Sequence, residues 1–179
     1  MSALGGRTLQ QQVIARIRES IEGFRLPRYA YIPDVGLYLE QTTKYLSDCL
    51  APVIDCEITG TMISNYVKRG VVDSPVRKQY SRDQIAYLIF AMCAKQALSL
   101  DNIKLMMSIQ KETYPAEIAY DYFCQEFENM VEYVFGVKPL PDVVGVENTS
   151  EKIMLRNAII TAAHKIYLDK LFAALQPKT

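Results

Sequence analysis

Apolar residues recur at three- and four-residue spacing along most of the chain, and proline and glycine cut the pattern into separate helical segments. Leu9, Val13, Ile14, Ile17 and Ile21 form the first stripe, which Gly23 and Pro27 end. Arg25 to Pro33 holds two prolines among large apolar residues and reads as an extended arm laid across an apolar surface. Asp34 is placed as the cap of a second helix, with Val35, Tyr38, Leu39, Thr42, Tyr45, Leu46, Cys49 and Leu50 as its buried stripe and Pro52 beyond it. A short helix then runs from Thr61 to Arg69, with Thr59 or Thr61 as its cap and Gly70 closing it. Met62, Ile63, Tyr66 and Val67 give this helix an apolar side. Thr61, Ser64, Asn65 and Lys68, at i, i+3, i+4 and i+7, are left as one polar stripe.

Val76 to Tyr80 alternates and predicts two or three residues of strand. Ser81 followed by Gln84 is a capping box, and it opens a nearly all-apolar segment, Ile85 to Leu98, expected to be the most buried helix. Ser99 and Asn102 start a further helix to about Lys111. Pro115 and Gly136 bracket an acidic helix whose apolar face is Ala119, Tyr122, Phe123, Phe127, Met130, Val131 and Val134. Lys138 to Glu147 is a loop, and Thr149 or Ser150 starts a long last helix to about Leu175. Met1 to Gly6 reads as a disordered leader. The fold class that follows is mainly α, with at most a tiny ribbon.

Half of the 179 residues are apolar, enough to bury a core without metals or disulfides. Twenty basic residues balance twenty acidic ones, so any contact with nucleic acid rests on a local patch rather than on bulk charge. The balance is uneven in space. Lys68, Arg69, Arg77, Lys78 and Arg82 stand against Asp73 alone, whereas Glu112, Glu117, Asp121, Glu126, Glu128 and Glu132 follow with no base between Glu112 and Phe135.

Cys49, Cys56, Cys93 and Cys124 have no metal-binding spacing and are expected to be small core residues. His164, among Ala162, Ala163, Ile166 and Tyr167, reads as a half-buried structural histidine. With no glycine-rich phosphate loop, nucleophile elbow or acid/base carboxylate pair, neither an enzyme nor a cofactor is expected. No stretch has the form of a signal peptide or the length of a membrane span, so a cytoplasmic protein with no membrane contact is expected.

Asn65-Tyr66-Val67-Lys68-Arg69-Gly70-Val71, then Lys78 to Ile85, then Leu98-Ser99-Leu100-Asp101-Asn102-Ile103 resembles the MerR-type winged helix-turn-helix. More closely, the chain is similar to a bacterial family of uncharacterised proteins with MerR-like helix-turn-helix features. The shared segments are Leu26-Pro27, Leu37-Tyr38-Leu39, Thr61 to Tyr66 and Tyr80 to Leu88, in that order. The resemblance covers roughly Pro27 to Lys111. With the helices on either side of it, the chain is expected to divide into three parts: residues 1–30 as N-terminal helix and arm, 31–112 as the MerR-like winged helix-turn-helix the resemblance implies, and 113–179 as a helical pair for dimerisation or sensing.

The resemblance also implies that Tyr66 meets the DNA backbone, that Lys78 stands in the place of a wing arginine, and that Tyr80 closes the wing on the core. Ser64 replaces the family's arginine, and the usual Gly-Tyr-Arg of the wing is missing. Small polar groups read base edges and cations sit on phosphates. Thr61, Ser64, Asn65 and Lys68 are therefore assigned to bases, and Tyr66, Arg69, Arg77, Lys78 and Arg82 to phosphates. The last helix is apolar on more than one face. With Tyr122, Phe123 and Phe127 it suggests a homodimer interface or a pocket for a small apolar effector. The expected function is a DNA-binding transcriptional regulator; the alternative is a protein-interaction or ligand-sensing module on the same scaffold that does not bind DNA.

Overall fold

The computed structural model describes residues 8–145 and 148–176, so the leader and part of the loop before the last helix lie outside the described residues. Among them are seven α-helices: α1 (Leu9–Glu19), α2 (Leu39–Leu50), α3 (Gly60–Lys68), α4 (Arg82–Ala94), α5 (Leu100–Thr113), α6 (Ala116–Val134) and α7 (Ser150–Leu175). Two two-residue strands, β1 (Leu37–Tyr38) and β2 (Gln79–Tyr80), pair antiparallel, Leu37 with Tyr80 and Tyr38 with Gln79. The mainly helical expectation holds, ribbon included. Among the described residues no helix is long and apolar enough to cross a membrane.

Side chains chosen for capping set most boundaries. The hydroxyls of Thr8, Thr59, Ser81, Ser99 and Thr149 each accept a backbone N–H of the first turn of α1, α3, α4, α5 and α7. Ser81 and Gln84 complete the capping box read from the sequence. Gly70 ends α3 at φ +68, with its own N–H on Val67 O and the Val71 N–H on Tyr66 O. That 5→2 and 6→1 pair needs a left-handed residue after the cap, which glycine adopts without steric cost.

The start of α2 differs from the sequence reading. Residues 35–38 are not helical, Val35 and Tyr38 are exposed, and the helix begins at Leu39. Leu37 and Tyr38 instead pair with Gln79 and Tyr80, about forty residues on. Gly36 allows that approach, because a Cβ there would lie 2.7 Å from the Gln79 Cβ.

α4 is the centre of the core, with Ile85, Leu88, Ile89 and Ala91 buried on all sides and helices α2, α5, α6 and α7 around it. One hydrophobic cluster runs from Val13 on α1 to Ile166 on α7. Phe123 and Phe127 belong to that core rather than to an exposed interface. The arm between α1 and β1 lies across α6, as expected, with Phe24, Leu26 and Ile32 buried. What fixes it is polar as much as apolar. Glu128 accepts the Leu26 N–H (2.8 Å) and takes both guanidinium nitrogens of Arg28 (2.6 and 2.7 Å). Asp121 accepts the Tyr29 N–H at 2.7 Å, and the Tyr120 hydroxyl donates to Pro27 O at 2.9 Å.

Two single-residue expectations fail. Cys93 and Cys124 are buried and Cys49 partly so, but Cys56 is exposed, in the connection between α2 and α3 rather than on a packed face. His164 is exposed on α7, on the side of that helix opposite Ala162, Ala163 and Ile166.

Candidate nucleic-acid interface

On α3 the burial pattern divides the helix along the line its sequence draws. Ile63 and Tyr66 are buried and Met62 and Val67 half-buried, while Thr61, Ser64, Asn65 and Lys68 are all exposed. Tyr66 is only 4% exposed, and burial pushes its phenol up to about 12. Its ring packs the helix onto the core, so Tyr66, assigned to a phosphate from the sequence, does not stand with the exposed polar stripe.

Beyond Gly70 the chain passes Val71 and Val72, both buried, and reaches a hairpin with a two-residue tip. The Gln79 N–H donates to Val76 O (2.9 Å) and the Val76 N–H to Gln79 O (3.1 Å). The tip residues are Arg77 (φ +51) and Lys78 (φ +65). A two-residue turn with positive φ at both positions matches strand twist and ordinarily selects Asn-Gly. Here two bulky basic residues hold that conformation instead, at a cost of about 1–2 kcal/mol each. The loop leading into the tip is held from below by the Gln84 amide, which donates to Asp73 O (2.9 Å) and Ser74 O (3.0 Å). Tyr80, buried at the foot of β2, closes the hairpin on the core.

The electrostatic partners separate the basic residues into two groups. Lys68, Arg77 and Lys78 are exposed and make no side-chain hydrogen bond or ion pair among the described residues. Asp73, the one acid in this segment, turns to Lys111 on α5 (3.2 Å). Arg69 meets Asp101 at the start of α5 (3.0 Å), an exposed pair that water and salt weaken. Arg82 is different. Its side chain is 27% exposed, its Nε donates to Ile32 O (2.8 Å), its guanidinium lies 5.4 Å from the centre of the Tyr29 ring, and Asp34 is 3.7 Å away. Arg82 therefore anchors the arm and is not presented with the others.

The acidic helix does not neutralise this patch. Glu126 holds Arg156 (2.7 Å), Glu128 holds Arg28, and Glu132 takes Arg25 (2.5 Å) and Lys138 (3.2 Å). These acids clamp the arm and the last helix onto α6, and Glu126 and Glu128 are themselves buried. Sequence reasoning missed Lys104. It is exposed on α5, and its ammonium lies 3.0 Å from where a Cβ on Gly70 would stand, so it adds a cation beside the end of α3. No local signal marks it, since only the packing of α5 beside that turn brings it there.

The geometry assembled here falls within a stretch that a family model describes. The model for Domain of unknown function (DUF1836) matches residues 27–123, more than half of the chain. The chain belongs to that family. The DUF1836 match begins in the arm, takes in α3, the hairpin, α4 and α5, and ends inside α6. It therefore contains both the basic hairpin and the Tyr120 and Asp121 side of the clamp. No curated protein and no solved structure matches the chain.

Proposed function

We propose that this protein is a DNA-binding transcriptional regulator, in which α2, α3 and the Val76–Gln79 hairpin act as a MerR-like winged helix-turn-helix. α3 lies in the major groove with Thr61, Ser64, Asn65 and Lys68 toward base edges. Arg69, Arg77 and Lys78 meet phosphates on either side. The observation that carries the reading is the hairpin tip. Arg77 and Lys78 sit in a backbone conformation that disfavours them, exposed and without partners, where Asn-Gly would relieve the strain. Strain kept at an exposed basic tip is accounted for by a partner that needs those two charges there.

A two-fold dimer through α7 completes the reading. Its Ala158, Ile159, Ala162, Ala163 and Ile166 are buried, while Ile153, Ile160, Leu168, Phe172 and Leu175 are exposed along the helix. Helix-turn-helix proteins pair in this way to meet two half-sites.

Fluorescence anisotropy of labelled duplex DNA across a salt series tests the proposal. Binding at low salt that weakens steeply as salt rises is the expected result. A folded protein that binds no duplex at low salt would leave the scaffold as an interaction or sensing module.

A further inference from the structure

A cavity of about 170 Å³ lies between α4, α5, α6 and the first two turns of α7. Its walls are Tyr87 and Phe90 from α4, Met106 and Met107 from α5, Phe123 from α6 and Met154 from α7. Polar side chains beside it spend their hydrogen bonds on other protein groups. The Tyr122 hydroxyl donates to Glu126 (2.7 Å), and the Gln110 amide donates to Tyr114 O (2.8 Å). No buried side-chain nitrogen or oxygen among the described residues lacks a partner. A water needs two to four free polar partners, so this lining offers water little.

Charge at the rim is balanced. The Lys152 ammonium stands 5.2 Å from the centre of the Tyr122 ring, and Glu151 beside it is held in the ionised form by its own backbone N–H and Thr149. Lys111 lies 4.9 Å from the centre of the Tyr87 ring and already carries Asp73. Neither an anion nor a cation is favoured by such a rim, and a charge moved into the apolar interior would lose its hydration uncompensated.

An engineered cavity of about 150 Å³ lined by Leu, Ile and Phe stays dry and binds benzene. The cavity here is of that size, and its three methionines can adapt to the shape of a guest. Ile118, 59% exposed, leaves an apolar way in.

We propose that this cavity is a binding site for a neutral apolar small molecule the size of one aromatic ring. The site does not depend on DNA binding, and its test does not use DNA.

The full chain, labelled at its methionine methyl groups, is titrated with benzene, benzoate and benzylamine and followed by NMR. Benzene is expected to shift the Met106, Met107 and Met154 methyl signals saturably and to raise the melting temperature, while the two charged analogues bind at least about tenfold more weakly. Ala119→Leu, which fills the cavity from α6, is expected to weaken benzene binding by about tenfold or more with the helical circular dichroism unchanged. If that variant does not fold, Met154→Phe fills the same space from α7. Absence of saturable shifts with benzene would overturn the proposal. So would equal or tighter binding of benzoate or benzylamine, or unaltered benzene binding in a folded filled variant.

Discussion

In the proposed reading the hairpin tip joins stability to DNA binding, and one double substitution separates the two. Arg77→Asn with Lys78→Gly installs the residue pair that a two-residue turn of this shape prefers. Two left-handed side chains cost roughly 2–4 kcal/mol together. Asparagine relieves only part of its share, and glycine returns about 0.5–1 kcal/mol through the added freedom of the unfolded chain. The net gain is about 1–2 kcal/mol, which in a chain of this length raises the melting temperature by roughly 3–6 °C. Thermal unfolding followed by far-ultraviolet circular dichroism reads that shift.

The same variant removes two cations from the proposed interface. Its log–log salt slope for duplex DNA should therefore shrink by about 1.8. A melting temperature that stays level or falls would refute the strain argument. A raised melting temperature with an unaltered salt slope would mean that the tip does not touch phosphate.

Other expectations follow from the arm, the buried acids and the last helix. Glu128→Ala leaves Arg28 and the Leu26 N–H without their acceptor and should cost about 3–5 kcal/mol in urea unfolding; a loss under about 1 kcal/mol would contradict the clamp. Burial pushes the Cys49 thiol up to about 11, the Cys124 thiol up to about 12 and the Tyr66 phenol up to about 12. The folded state therefore holds these protons more tightly than the unfolded chain does. Its stability should decline as pH rises from about 9, where free thiols begin to ionise, toward 12. Unfolding curves that coincide at pH 8 and pH 11 would argue against that burial. Phe172, 57% exposed on α7, should sit in the dimer contact, so Phe172→Glu is expected to halve the mass seen by light scattering; a parent chain that is already monomeric removes the dimer from the proposal.

Much of the fold was legible because it is written in local signals. The caps Ser81 and Ser99 and the stop at Gly70 act within four residues of themselves, so their sequence positions suffice, whereas Thr59 and Thr149 each stood beside a second hydroxyl, Thr61 and Ser150, that only the backbone rules out. The polar stripe of α3 was legible for the same reason, since helix periodicity alone decides which side is covered. What depended on distant partners was not. β1 exists because Gln79 and Tyr80 come to Leu37 and Tyr38, and nothing near Val35 announces it.

The charges were misjudged likewise. Arg82 looks like one more cation in a basic run until Ile32 O is brought to its guanidinium. The acids of α6 look like a solvated face until the arm and α7 supply Arg25, Arg28 and Arg156. Once those pairs are formed, the zero net charge of the chain conceals Lys68, Arg77 and Lys78, which remain unpaired among the described residues.

In the proposed complex Arg69, Arg77 and Lys78 lie on phosphates. Anisotropy of a duplex titrated with the intact chain between 50 and 200 mM salt measures those contacts directly. Three phosphate contacts per chain predict a log–log slope of about −2.7, a roughly 40-fold loss of affinity across that range for one chain on its site. A folded protein that shows no duplex binding at 50 mM salt, or binding indifferent to salt, would contradict the account.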